Sequence, residues 1–126
     1  MLLLDSNIFI HCDFEHIAAT NEVGLTSGVL AELDAMKDGE YKRSIRKALN
    51  FILDHKIKVV QYNAKLSVDD ALVEAAKKYE SQICTNDIAV QIKCNSNRVE
   101  WKNAPTREDF YNGITSIVLD YDTTPI

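Results

Sequence analysis

The chain has 126 residues, 46% of them apolar and 26% charged, the size and composition of a single globular domain. Four Gly and two Pro argue against a low-complexity chain, and no apolar run approaches the ~20 residues that a membrane-spanning helix needs. The formal net charge of −5 weighs against nucleic-acid binding by bulk charge, because phosphate contacts come from Lys and Arg.

In chain order, Leu2 to Leu4 is a short apolar run ending in Asp-Ser-Asn, the pattern of a buried strand running into a helix N-cap. The start "MLLLDSNIFIH" has no basic residues before its apolar stretch, and Asp5 interrupts it, so no signal peptide is expected. Ile8, Phe9, Cys12, Phe14, Ile17 and Ala18 then recur at roughly helical spacing. "EVGLT" fits a second strand, and Ser27 is placed to cap a helix with Val29, Leu30, Leu33 and Met36 on its apolar stripe. After "KDGE", an amphipathic helix is predicted from Tyr41 to about His55. "IKVVQY" is β-branched and reads as a strand. Ser67 and Asp70 have capping-box spacing at the start of a further helix. "SQICT" reads as a strand and "NDIAVQIKC" as a helix. "RVEW" is expected as a final central strand, "NAPTREDFYNG" as a loop or short helix, and "ITSIVLDY" as a late strand. Strands alternating with helices predict an α/β fold, a three-layer α/β/α sandwich with a mainly parallel central sheet. Residues 1–126 are read as one domain.

Four carboxylates stand near strand-to-helix junctions: Asp5, Glu32, Asp70 and Asp87. Each has a plain alternative. Asp5 and Asp87 can cap helices, Asp70 can complete the box with Ser67, and Glu32 can be an exposed helix residue. Their joint placement is more specific. Parallel strands gather their carboxyl ends at one edge, where ligands bind in open α/β sheets. Acids crowded there repel one another unless a hard divalent cation takes them as oxygen ligands. This points to catalysis assisted by Mg²⁺ or Mn²⁺ and hence to a metal-dependent nuclease. Cys12, Cys84 and Cys94 show no metal-ligand spacing and read as reduced packing residues of a cytoplasmic protein.

The runs "LLLDSNIFI", "VLAELDAMK", "RSIRKALNFI", "DDALVEAAKKY" and "ICTNDIAVQIKC", in that order, resemble a PIN-domain ribonuclease. The wording is most similar to the PIN domain that precedes an ATPase in PhoH-like proteins. The resemblance implies a sandwich related to the 5′-nuclease fold that cleaves single-stranded RNA with Mg²⁺ or Mn²⁺. Carried over by position, its acids fall on Asp5, Glu32, Asp70 and Asp87. Asp70 is preferred to its neighbour Asp69 because it stands three residues before Val73. Asn7, Thr85 and Asp69 are expected to support the site. The chain lacks GxxxxGK[ST], so no companion ATPase is expected in it. A freestanding PIN protein suggests a toxin-type ribonuclease or a small housekeeping or phage-borne nuclease, and family analogy suggests a homodimer.

Lys37, Lys42, Arg43, Arg46 and Lys93 are the candidate substrate contacts. The alternative for each is a solvated helix face. A structure-specific DNA nuclease of the flap or 5′ type and a non-catalytic RNA-binding or scaffold domain of the same fold are the competing functions. No membrane partner is expected.

Overall fold

The computed structural model describes residues 1–109, so the strand expected at "ITSIVLDY" lies outside the described residues. β1 (Leu2–Leu4) is buried along its whole length. Leu2 and Leu4 join one core cluster and Leu3 the other, because successive side chains of a strand point to opposite faces. A strand apolar on both faces suits the middle of a parallel sheet covered on both sides. β1 takes that position. It pairs in parallel with β2 (Val23–Thr26) and with β4 (Gln82–Cys84). β3 (Lys58–Val60) adds to β2, and β5 (Trp101–Lys102) adds to β4. The order is β3-β2-β1-β4-β5, and all pairs are parallel.

The layer on one face holds α1 (Ser6–His11), α2 (Phe14–Thr20), α3 (Ser27–Met36) and α4 (Lys42–Asp54). Its core packs Phe9, Phe14, Leu33 and Ile45 against Leu2, Leu4 and Leu25. The opposite layer holds α5 (Val68–Lys78) and α6 (Ile88–Ser96), with Leu72, Val73, Val90 and Cys94 against Leu3 and Ile83. The protein is therefore the expected α/β/α sandwich.

Three details differ from expectation. The helical rhythm from Ile8 to Ala18 belongs to two helices, because Asp13 caps a new one at Phe14 by accepting from the His16 N–H at 3.2 Å. Thr26, not Ser27, caps α3; its Oγ1 accepts from the Val29 N–H at 3.2 Å. Of "RVEW" only Trp101 enters a strand, β5 (Trp101–Lys102), which among the described residues pairs on one side alone, with β4.

Strand order fixes where a site can form. The chain winds outward from β1 through β2 to β3 and then returns to the other side of β1 as β4. The reversal between β1 and β4 opens a crevice at their carboxyl ends. The returns at the opposite end share one device. Lys56, Glu80 and Arg98 each adopt the left-handed conformation, at φ of 50°, 51° and 57°. The next residue donates back into the helix just ended: Ile57 to Ile52, Ser81 to Ala76 and Val99 to Cys94. These bonds cap the last turns in the Schellman manner and turn the chain into the next strand.

Candidate active site

Asp5 follows β1 directly, at the reversal of winding, and is 3% exposed. Its Oδ1 accepts from the Ser6 N–H at 2.8 Å. Its Oδ2 accepts from the Thr85 hydroxyl at 2.7 Å and from Asn7 Nδ2 at 3.0 Å. Thr85 is fully buried just after β4, and its Oγ1 also accepts from the Asp87 N–H at 3.0 Å. β1 and β4 pair up to Leu4 and Cys84, so register brings Asp5 and Thr85 side by side. Both were expected at the site, as was Asn7.

Glu32, in the second turn of α3, is only partly exposed. Burial raises its protonation range, the charges of Asp5 and Asp69 raise it further, and a hydrogen bond from Ser6 opposes them. Burial likewise raises Asp5, with Asp69 adding to it, against the hydrogen bonds from Thr85, Ser6 and Asn7. Asp5, Glu32 and Asp69 thus form one repelling group drawn from β1, α3 and α5. Among the described residues, no cationic side chain is among the causes shifting Asp5 or Glu32.

The expected third acid needs correction. Asp70 pairs with Lys93 at 2.9 Å, its side chain 51% exposed, and Lys93 also feels the charges of Asp69 and Asp87. The hydrogen bond from Lys93 holds its carboxyl below the usual range, with help from Ser67. Asp70 also occupies the third turn position whose N–H donates to Ser67 Oγ at 3.1 Å. One residue earlier, a helix has turned back by about 100°, and Asp69 there is half-buried and felt by both Asp5 and Glu32. Of the two neighbours it is Asp69, expected only to support the site, whose charge acts on Asp5 and Glu32. Asp87 stays at the same edge, linked to Asp5 through Thr85, but its exposed carboxylate caps α6 by accepting from the Ala89 N–H at 2.9 Å.

The closed four-carboxylate cage is not formed. Among the described residues, no three His, Cys, Asp or Glu side chains stand close enough to hold an ion directly. The donor set nonetheless fits a hard divalent cation. It is all oxygen, two of its acids are raised by burial and by neighbouring charge, and among the described residues a cation, Lys93, is felt by Asp69 alone of the three. Mg²⁺ keeps several waters and needs only one or two carboxylates, so the residues suit a hydrated ion better than a dry cage.

The basic candidates are largely occupied. Lys37 pairs with Asp34 at 2.8 Å, Arg46 with Asp38, and Lys93 with Asp70. Lys42 and Arg43 make no ion pair among the described residues and stand exposed at the start of α4. Beside Glu32, an open trough of about 450 Å³ runs between α3 and the segment before α5, past Ala31, Ala35, Tyr62, Leu66 and Val68.

Sequence reasoning missed two contributors. Ser6 was read only as part of a cap, yet it touches both Asp5 and Glu32. The second is Asn86, whose side chain ties the segment after β5 to the site: Nδ2 donates to the Ala104 carbonyl at 2.8 Å, and Oδ1 accepts from the Ala104 N–H at 2.9 Å. Its place in "TND", between Thr85 and Asp87, was the available signal. The cysteines are buried thiols as expected, and burial pushes Cys84 up to about 12.

No family model matches the chain, and no curated protein matches it. A solved structure described as a domain of a functionally unknown protein from Methanocaldococcus jannaschii DSM 2661 is similar at 19% identity. The match covers 81% of this chain and 89% of that one, with a TM-score of 0.58. The likeness is one of fold. Among the described residues, no helix is long and apolar enough to cross a membrane.

The raised carboxyls set a sign for pH dependence. A carboxyl raised by folding contributes stability below its unfolded pKa, near 4, and loses it as pH rises through the folded value. Asp70, lowered by Lys93, works oppositely but only in the acid range below about 4, and exposure weakens it. Without divalent metal, the melting temperature is therefore expected to fall as pH rises above about 4. Glu32→Gln should flatten that slope. Thermal melts in EDTA across this range check it; a Glu32→Gln slope equal to wild type would contradict the assignment.

Proposed function

We propose that the protein is a PIN-type endoribonuclease that cleaves single-stranded RNA with Mg²⁺ or Mn²⁺. The observation that carries this reading is the group of three mutually repelling acids, Asp5, Glu32 and Asp69, at the winding reversal of a parallel sheet. Such a group costs stability in the free protein, and a bound cation would offset that cost.

Asp5, Glu32 and Asp69 would hold a hydrated ion, in part through its waters. When bound, it supplies Lewis acidity toward a phosphate and lowers the pKa of a bound water. The chain's own residues do the rest. Ser6, Asn7 and Thr85 fix both oxygens of Asp5 in place before any ligand arrives. Asp87 stands at the same rim with an outward carboxylate. Lys42 and Arg43 are free to meet phosphates, and Lys93 becomes so when its surface pair with Asp70 opens. The trough beside Glu32, walled by Ala31, Ala35 and Leu66, suits an unpaired strand with exposed bases better than a duplex.

One observation favours a second reading. The acids do not close on an ion as they stand, which also fits a non-catalytic RNA-binding domain of the same fold. A single assay separates the two. Labelled single-stranded RNA incubated with the protein and Mn²⁺ is expected to be cut, and EDTA to stop the cutting. Binding without cleavage would favour the second reading, and cleavage in EDTA would overturn the metal mechanism. The same assay with single-stranded and flap DNA tests the alternative substrate.

A further inference from the structure

Four hydrogen bonds lead in three steps from Asp5 to the segment that follows β5. Asn7 Nδ2 donates to Asp5 Oδ2 at 3.0 Å. Asn7 Oδ1 accepts from the Asn86 N–H at 3.0 Å. The Asn86 side chain pairs with both backbone groups of Ala104, at 2.8 and 2.9 Å, as a neighbouring strand would. The segment carrying Ala104 is itself pinned. Thr106 bridges to Cys12, and Arg107 Nη1 donates to the Ile10 carbonyl at 2.9 Å.

The polarity of this relay is fixed. A backbone N–H only donates, so the oxygen of Asn7 must face Asn86, and its Nδ2 must then face Asp5. That donor, with the Thr85 hydroxyl, occupies Oδ2 of Asp5. Oδ1 is left with one backbone donor and spare acceptor capacity. A reversed Asn7 amide would turn an oxygen toward the carboxylate and push it off its position.

We propose that Asn86 is a positioning residue of the metal site: by clasping Ala104 it holds the turn after β4, which fixes the Asn7 amide and aims Asp5 at the ion. The inference rests on the reading of Asp5 as a metal ligand. It makes the segment from Asn103 to Arg107 part of the site's architecture, although it contributes no ligand.

Two variants cut the clasp from opposite sides. Asn86→Ala removes the side chain, and Ala104→Pro removes the backbone donor facing it. Mn²⁺ binding, followed by the electron paramagnetic resonance signal of the free ion, needs no turnover. Partners that orient a ligand typically cost 10–100-fold in metal affinity or activity when lost. Each variant is expected to weaken Mn²⁺ binding about tenfold and to lower kcat on RNA while leaving KM for RNA unchanged. The double variant should lose no more than the worse single one, because both cut the same connection. Melting curves identify a variant that fails to fold, and the other then decides. Unchanged Mn²⁺ affinity in a folded single variant, or losses that multiply in the double, overturns the inference while leaving the nuclease reading intact. A wild-type protein that binds no Mn²⁺ overturns both.

Discussion

Asp5→Asn should abolish Mn²⁺-dependent RNA cleavage, with a loss beyond the roughly 100-fold that marks the upper range for residues acting only through a ligand. Asp5 is almost fully enclosed, so its charge is tolerated only through three donors: the Ser6 N–H, the Thr85 hydroxyl and the Asn7 amide. These donors also define what asparagine does there. Its oxygen can keep the Ser6 contact, but its amine then faces Asn7 Nδ2, which the relay to Asn86 prevents from turning over. In the metal-free protein, two effects oppose each other: a donor is set against a donor, and an uncompensated charge next to Asp69 is removed. The melting temperature without metal should therefore move little. The response to metal should change fully. Millimolar Mn²⁺ should raise the melting temperature of wild type, since an ion that binds only the folded state stabilises it by mass action, and should leave Asp5→Asn unmoved. Equal metal-induced shifts in both proteins would remove Asp5 from the ion site. Retained cleavage in the variant would point to a contaminant or to a different centre.

Much of the molecule could be read before its coordinates. Leu2–Leu4, "EVGLT" and "SQICT" announced strands because each is short, apolar and followed by a capping residue, and the three appear within a residue or two of expectation. What failed depends on neighbours that lie far apart in the chain. Of "RVEW" only Trp101 pairs in the sheet, beside Ile83 from far earlier in the chain, while Val99 is spent on closing the end of α6. The break at Asp13 was masked because Phe14 continues the apolar rhythm of α1 while belonging to α2. Similarly, Asp5 was legible as a candidate because the end of β1 is legible, and Glu32 because it lies in the second turn of the helix that follows β2. The basic candidates were not, because whether a lysine is free depends on its partner. Lys37, Arg46 and Lys93 each found an acid within reach.

The pair Asp69 and Asp70 is the sharpest case, and it gives the second large expected effect. Adjacent residues on a helix point about 100° apart, so only one of them can face the sheet edge. Sequence spacing favoured Asp70, since it stands three residues before the buried Val73. Spacing from a buried residue, however, places a side chain on the buried stripe of the helix and does not say whether it faces along the sheet edge. The N3 position that Asp70 occupies is spent on the Ser67 cap, and its carboxylate is spent on Lys93. Asp69 carries the repulsion with Asp5 and Glu32 instead. Asp69→Asn should therefore reduce Mn²⁺-dependent cleavage by more than about tenfold, at least what losing a residue behind a ligand costs. It should also weaken Mn²⁺ binding. Asp70→Asn removes an exposed ion pair of the kind that contributes little to stability. Its cleavage rate should stay within a few-fold of wild type and its melting temperature close to wild type, while Lys93 is released toward the substrate. That release gives a directional signature: Asp70→Asn should bind RNA slightly more tightly at low salt, with a steeper salt dependence. Cleavage rates for the two variants, measured side by side with the salt dependence of RNA binding, decide the matter. A large loss in Asp70→Asn with little change in Asp69→Asn would restore the assignment made from spacing and show that the pairing with Lys93 opens when the ion binds.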